Sequence, residues 1–435
     1  MSSEKSPSSS EEQPQVAPST GCLAIFKGIF GNASNGSTSQ SKEQTYSEKN
    51  AQAYREMIST SSSSLPPAYE ALQQEMSQLR VNGSSDIKLS DLWENNEFAK
   101  TVHHAIEAVS AELREISLKY DALPGIGHAC GHNLIAISGV ATAIGIKAVI
   151  EKFHLAAQVK LLGTPAEELE GGKIVMLNKG AFENLDVCMM LHGANTDVIY
   201  TNFLALDTVE VEFFGKASHA SASPWEGINA LDAAVLTYTN IGLMRQQMRP
   251  DQRVHGIIKD GGKAANIIPD YTKSVYTVRS PKYSEVEVLK KRVEAIFKGA
   301  AAATGCRVAL KWGSPYMDIL TNDPLARKFE HFMNAQGLKY APKQEQQSKV
   351  SGSTDMGNVT YALPGIHPMF NILNLEGKDD NSMGLHTSAF ASAASQPTGH
   401  IATLRAAKGL AMTGVECILD DEFLDSVKKD FESTK

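Results

Sequence analysis

The sequence lacks the features of a secreted, membrane-spanning or nucleic-acid-binding protein. Its five cysteines are odd in number and scattered, so we expect no disulfide framework and a reducing compartment. Basic residues number 41 against 49 acidic ones, and the absence of a Lys/Arg surplus argues against a nucleic-acid partner. We expect no apolar run long enough to span a membrane, and the N-terminus lacks a secretory signal pattern. These absences predict a cytoplasmic protein without stable membrane association that acts on small polar substrates.

Residues 1–85 also lack the apolar content that a packed core requires. Ser, Gln, Glu, Asn and Pro dominate them, so we predict a disordered Ser-rich tail. The tail contains one apolar island, Gly21–Phe30, which includes Cys22. This island is interpreted either as a lipidated or membrane-touching helix or, in the favoured alternative, as an unspecific apolar patch.

The rest of the chain has an alternating α/β pattern that is interrupted by an insertion. Residues 86–204 and 315–425 are assigned to the two halves of a catalytic domain. Residues 205–314 give the order β-α-β-β-α-β, which is that of a ferredoxin-like domain. The segments 351–370 and 384–391 are rich in small residues and are predicted to be loops.

Four segments that follow a strand or lie in a Gly-containing loop carry residue types that bind divalent metals. They contain HACGH (128–132), TPAEELEGG (164–172), MMLHGAN (189–195) and GLHTSAF (384–390). A catalytic metal site needs converging His, Cys or carboxylate ligands with one position left open. Adjacent Glu167 and Glu168 allow one carboxylate to bind metal while the other acts as general base. The Glu-Glu pair, His192 and His386 are each more often structural when taken alone, and Cys-x-His is ambiguous, so only the four segments together favour a metal site.

Seven motifs in order resemble the signatures of the aminoacylase/carboxypeptidase family of metallo-amidohydrolases, a metallopeptidase family. They are YDALPGIGHACGHNLIA, GTPAEELEGGK, LHGAN, GKASHASASPWEGINALDA, NIIPD, STDMGNVTY and LHTSAFA. The residues of these motifs resemble those of the branch that contains the Xaa-Arg (beta-Ala-Lys) dipeptidase, aminobenzoyl-glutamate hydrolase and the indole-acetyl-amino-acid hydrolases. The resemblance implies an α/β, zinc-exopeptidase-like catalytic domain with an inserted ferredoxin-like dimerisation domain. It also implies a homodimer that hydrolyses the amide bond of dipeptides or N-acyl amino acids.

The same resemblance implies roles for individual residues. Two divalent metal ions, zinc or else manganese or cobalt, would be bound by Cys130, His132, Glu168, His192 and His386. Glu167 would be the general base, Asp121 would orient the site, and His219 would stabilise the oxyanion in a partner subunit. Substrate contacts would come from Asn266, Arg279 and Ser353.

The chain lacks one segment that the family has. In the family a helix and two strands precede the DALP motif, whereas here AIEAVSAELREISLK runs directly into YDALP. The alternating EISLKY could form one substitute strand, but one strand does not replace two, and a sheet edge would stay unpaired. Either an exon is missing from the gene model, or the chain is a truncated, non-catalytic relative that binds or dimerises. A protease of large proteins is disfavoured, because no H-E-x-x-H motif occurs.

Overall fold

The computed structural model describes residues 20–26, 97–107, 129–168, 170–348, 350, 352–373 and 384–434. Its helices are α1 (Glu97–Glu107), α2 (His132–Lys152), α3 (Gly172–Asn178), α4 (Ala230–Met244), α5 (Tyr283–Thr304), α6 (Asp323–Asn334), α7 (Lys343–Ser348), α8 (Met356–Ala362), α9 (Ser388–Ala394), α10 (Pro397–Leu419) and α11 (Asp421–Thr434). Its strands are β1 (Thr20–Phe26), β2 (Gln158–Thr164), β3 (Val187–Met189), β4 (His192–Ala194), β5 (Ala205–Phe214), β6 (Ser218–His219), β7 (Arg253–Asp260), β8 (Ile267–Ile268), β9 (Tyr271–Ser280), β10 (Arg307–Trp312), β11 (Gly365–Ile366) and β12 (Met369–Asn371).

The inserted domain is a four-stranded antiparallel sheet with the order β10-β5-β9-β7. Along β5, buried residues alternate with partly exposed ones, as the two-residue period of a strand requires. The buried face, with Val209, Val211 and Phe213, forms one core with α4 and α5. This connectivity confirms the ferredoxin-like order predicted from the sequence.

The catalytic domain is built around α2, which packs against α1, α10 and the sheet of order β11-β3-β1-β2. Gly145 allows the close approach of the helices, because a Cβ there would lie 3.1 Å from Val102 and 3.3 Å from Ala411. By length and composition α2 is long and apolar enough to cross a membrane, contrary to the expectation for this chain. Its buried residues join the core cluster, which is how a central helix of a folded domain behaves.

Strand β1 comes from the region predicted to be a disordered tail. It lies between β2 and β3 and pairs antiparallel with both, so that Leu23 is opposite Leu161 on one side and Met189 on the other. The backbone groups of β2 and β3 that would otherwise lie at unpaired edges are thereby satisfied. For residues 20–26, the prediction of a disordered tail and the interpretation as a helix are both wrong.

Two further predictions need correction. The segment 351–370 contains α8, β11 and β12 rather than loop alone, and residues 384–391 include the start of α9. The loop prediction rested on the many small residues. In the structure the Thr387 hydroxyl accepts the Phe390 N–H and thereby caps the start of α9. The possible strand at EISLKY lies outside the described residues, as do Asp121 and His128.

Candidate metal centre

The first half of the candidate site lies where the chain turns into α2 and where β4 begins. Gly131 adopts φ +71°, a left-handed conformation that suits glycine, and His132 is the first residue of α2. His192 opens β4, and its Nε2 lies 3.6 Å from the Cys130 sulfur. The ligand atoms of Cys130, His132 and His192 all lie within 4.8 Å of one another. These three residues therefore converge as the sequence predicts.

Two carboxylates in the turn after β2 extend this cluster. His132 Nε2 is 3.3 Å from Glu168 Oε1 and 3.9 Å from Glu167 Oε2. Ala166 has a positive φ of 61°, and a Cβ at Gly172 would lie 1.7 Å from the Pro165 oxygen, so the turn is too tight for a larger residue there. The turn leaves Glu168 46% exposed but Glu167 only 13% exposed.

His386 completes the set from the C-terminal part of the chain. Its backbone N–H donates to the Ala129 carbonyl at 2.7 Å, which holds it beside Cys130 in spite of its positive φ of 64°. Its Nε2 lies 3.9 Å from Glu168 Oε1, and Cys130, Glu168 and His386 form a group with ligand atoms within 4.8 Å. Positive φ in a non-glycine residue is a strained conformation that the surroundings must hold in place.

The donor atoms suit a divalent metal by their chemistry. His192 Nδ1 is 2.6 Å from the Gly193 carbonyl, which can only accept, so the proton is on Nδ1 and Nε2 keeps its lone pair. Burial lowers the pKa of His192 to about 4, so the imidazole is neutral, as a metal ligand must be. Burial and the neighbouring Glu168 and Glu167 raise the pKa of the Cys130 thiol, and a bound cation would favour the thiolate. Thiolate, imidazole and carboxylate together form a ligand set typical of zinc.

Glu167 has the environment of a proton acceptor that works near neutral pH. Burial raises its pKa to about 7, with the Asp355 and Glu168 carboxylates adding to the effect and Lys173 opposing it. A general base is most effective when its pKa is close to the working pH.

The remaining predicted site residues lie in two other places. Half-buried Arg279, on β9, donates from Nη1 to Ser353 Oγ at 2.9 Å and from Nε to His255 Nε2 at 3.3 Å. His219 and Asn266 are exposed and neighbour each other, because β6 pairs with β8 and the Ala220 N–H donates to the Asn266 carbonyl. Among the described residues, the converging groups of possible ligands do not include His219.

Four residues that the sequence analysis did not single out surround Glu167. Tyr316 Oη donates to its backbone carbonyl at 2.6 Å, and the Thr354 side chain partly offsets the rise in the pKa of Glu167. Lys173 and Asp355 form a fully buried ion pair beside it. Lys173 directly follows the Glu-Gly-Gly turn and Asp355 belongs to the STDMG motif, so proximity to known motifs was the one available signal.

Comparison with known proteins agrees with this geometry. The family model for the M20 peptidase dimerisation domain matches residues 205–304. The chain is 46% identical over 317 residues to the Xaa-Arg dipeptidase of Mus musculus, covering 72% of each chain. It is 44% identical over 333 residues to that of Homo sapiens, covering 75% of each. A putative aminohydrolase structure from methicillin-resistant Staphylococcus aureus has a similar fold, with TM-score 0.52 and 17% identity over 67% of this chain and 74% of that one.

The fold and the cluster of metal-binding side chains define a two-domain metallo-amidohydrolase. Identities of 46% and 44% over nearly three quarters of the length of the two dipeptidases show that this chain belongs to the M20 family of metallo-amidohydrolases. It is a peptidase-type enzyme that hydrolyses amide bonds with the help of bound metal, and the non-catalytic alternative is not favoured.

Proposed function

We propose that the chain hydrolyses the amide bond of dipeptides or N-acyl amino acids with about two divalent metal ions, zinc first among them. The observation that carries the proposal is the convergence of five potential ligands and Glu167 in one cluster. The ligands would be Cys130, His132, Glu168, His192 and His386. When bound, the metals would polarise the amide carbonyl and make the attacking water more acidic.

Glu167 would act as the general base and then as the general acid. It would take a proton from the attacking water and deliver it to the amine nitrogen as the carbon–nitrogen bond breaks. Its low exposure and its pKa of about 7 support this role, while exposed Glu168 is free to bind metal. Asp121, which is not among the described residues, would orient the site.

Arg279 would bind the carboxylate of the substrate. Among the described residues its hydrogen-bond partners are Ser353 and His255, and neither carries a negative charge. Burial of the guanidinium lowers the pKa of Arg279. An arginine with neutral partners keeps its positive charge for a carboxylate, which it can bind in a bidentate manner. Ser353 would help to orient it, and Asn266 would contact the same end of the substrate.

His219 would stabilise the oxyanion in the site of the partner subunit. Its Nδ1 accepts the Ala222 N–H at 3.2 Å and the Ser221 N–H at 3.3 Å, so a neutral ring carries its proton on the exposed Nε2. That N–H is the type of donor that a tetrahedral oxyanion needs. The proposal requires a homodimer, for which β7 offers a free edge in the described sheet and Ile257 is 61% exposed.

We also propose that the enzyme acts in the cytoplasm. Cys130, Cys188, Cys306 and Cys417 are free cysteines in the described part of the chain, which agrees with a reducing compartment.

A mixed-dimer experiment tests the function and the partner role together. The purified enzyme is expected to hydrolyse dipeptides, while the Glu167→Gln and His219→Ala homodimers are each expected to be inactive. Co-expressed Glu167→Gln and His219→Ala chains should regain activity, because one site then combines an intact Glu167 with the partner's His219. Absence of amide hydrolysis by the wild-type enzyme would contradict the function, and inactive mixed dimers would contradict the partner role alone.

A further inference from the structure

Arg279 lies at the junction of the two domains and is held by one neutral acceptor from each of them. Its Nη1 donates to Ser353 Oγ of the catalytic domain at 2.9 Å, and its Nε donates to His255 Nε2 of the dimerisation domain at 3.3 Å. Burial lowers the pKa of Arg279, and no carboxylate among the described residues opposes that effect. The guanidinium thus has a defined orientation but, within the described part of the chain, no counter-ion.

The pairing of β7 with β9 brings His255 to Arg279. In this register Arg253 lies opposite Arg279 and His255 lies opposite Thr277, so His255 is the diagonal neighbour of Arg279 on the same face of the sheet. This face points away from α4 and α5, because the alternate residues of the strands belong to the core formed with those helices. Diagonal neighbours are within reach of long side chains, and the two side chains meet here.

The bond from Arg279 defines the state of the His255 ring. A guanidinium N–H can only donate, so His255 Nε2 accepts with its lone pair and the ring proton is on Nδ1. Partial burial lowers the pKa of His255, and the positive charges of Arg279 and Arg245 lower it further. Arg245 also fixes the strand next to the ring, since its Nη2 donates to the Val254 carbonyl at 3.1 Å. The neutral imidazole therefore orients the guanidinium without adding a negative charge.

A neutral acceptor beside Arg279 differs in its effect from a carboxylate. A guanidinium has five N–H donors, and the bonds to His255 and Ser353 use only part of them. An aspartate or glutamate in place of His255 would pair with the arginine in a charge-assisted bond and compete with an incoming anion. With a histidine there, the positive charge and a set of N–H donors stay available for the carboxylate of a substrate.

We propose that His255 is a positioning residue for substrate specificity, which orients Arg279 towards a substrate carboxylate and leaves the charge of Arg279 unpaired until the substrate binds. This inference rests on the proposed function, because it takes Arg279 as the receptor of the substrate carboxylate. His255 acts through Arg279 and not through a contact with the substrate. Residues that support a binding group in this way preserve its geometry.

Three substitutions at position 255 should have different kinetic effects. His255→Leu removes the acceptor, and His255→Glu replaces it with a carboxylate that pairs with Arg279. Both should lower kcat/KM for a dipeptide with a free C-terminal carboxylate by about 10- to 100-fold through KM, the effect of one hydrogen bond to a charged group. The amide of the same dipeptide lacks the carboxylate, so its kcat/KM should change little. His255→Gln keeps a neutral acceptor and should retain most of the preference for the acid.

A double-mutant cycle with Arg279→Met separates positioning from a direct contact with the substrate. Arg279→Met should itself abolish the preference for the acid over the amide. When His255→Leu is added to Arg279→Met, it should cause no further loss of kcat/KM for the acid, because the group that His255 orients is then absent. A further loss as large as that of His255→Leu alone would mean that His255 acts independently of Arg279, and it would overturn the proposal.

Steady-state kinetics on the acid and the amide, metal content and melting temperature of these variants of the full chain test the proposal. His331→Leu is the matched control, because His331 is an exposed histidine on α6 whose ring contacts Phe332. The expected result is loss of the preference for the acid in His255→Leu and His255→Glu but not in the control, with metal content and melting temperature similar in all three. If His255→Glu does not fold, His255→Leu carries the test.

The possible outcomes separate the inference from the function. If the wild type prefers the acid and folded His255→Leu keeps that preference, the positioning role is wrong and the function stands. Equal losses in His255→Gln and His255→Leu would also overturn the inference, because the acceptor would not be the cause. A wild type that hydrolyses the acid and the amide equally well would contradict the role of Arg279 and, with it, this inference. A wild type that hydrolyses neither would contradict the proposed function itself.

Discussion

Lys173 Nζ lies 2.7 Å from Asp355 Oδ1, and both side chains are 0% exposed. The pair joins the two halves of the catalytic domain, which are separated in sequence by the whole dimerisation domain. A buried ion pair contributes little net stability when intact, but removal of one partner leaves an uncompensated buried charge.

Lys173→Met should therefore lower the free energy of unfolding by about 3–5 kcal/mol. Urea denaturation measures this change. Lys216→Met is the control, because Lys216 and its partner Glu226 are 61% and 63% exposed, and an exposed pair contributes under about 1 kcal/mol. Similar decreases in the free energy of unfolding of both variants would mean that burial does not increase the cost of breaking the Lys173–Asp355 pair.

The two adjacent glutamates should respond differently to amidation. Glu167→Gln should lower kcat by about 10²–10⁴-fold and keep the bound metal, because a general base is lost. Glu168→Gln should lower the metal content, because a proposed ligand is lost. Kinetics and elemental analysis of both variants check this, and the reverse pattern would exchange the two roles.

Strand β1 should be necessary for the stability of the catalytic domain. Leu23→Pro removes a backbone N–H within a strand that has neighbours on both sides, which should cost about 1–3 kcal/mol for each acceptor left unpaired. Hydrogen exchange at β2 and β3 measures the effect locally. Unchanged protection of those strands in Leu23→Pro would contradict the pairing of β1 with them.

The proposed dimerisation should depend on the exposed apolar side chains of the inserted domain. Ile257 on β7 is 61% exposed and Leu243 on α4 is 69% exposed, so Ile257→Glu and Leu243→Glu should shift the enzyme towards monomer. Val175→Glu, on the exposed side of α3 in the catalytic domain, is the control. Sedimentation measures the masses. Dimers that persist in both interface variants would place the contact elsewhere.

The sequence predicted which possible ligands converge, because they lie in short motifs. Cys130, His132, Glu168, His192 and His386 come from four separate motifs, and the order of those motifs in the resembling family predicted that they would converge. The period-two alternation of β5 and β9 likewise predicted the ferredoxin-like insertion.

Other features depended on tertiary contacts that a sequence does not display. The pairing of Thr20–Phe26 with β2 and β3 joins residues far apart in the chain, and polar flanks concealed the strand. Tyr316 contacts the Glu167 backbone carbonyl through its hydroxyl, and a lone tyrosine is not distinctive in a sequence.

Metal content of the purified full-length chain tests the central claim most directly. Elemental mass spectrometry should find about two divalent metal ions per chain in the wild type, and much less in His192→Ala. Chelation should abolish dipeptide hydrolysis and added zinc should restore it. A folded wild-type chain that binds no metal, or that hydrolyses dipeptides equally well without it, would contradict the account.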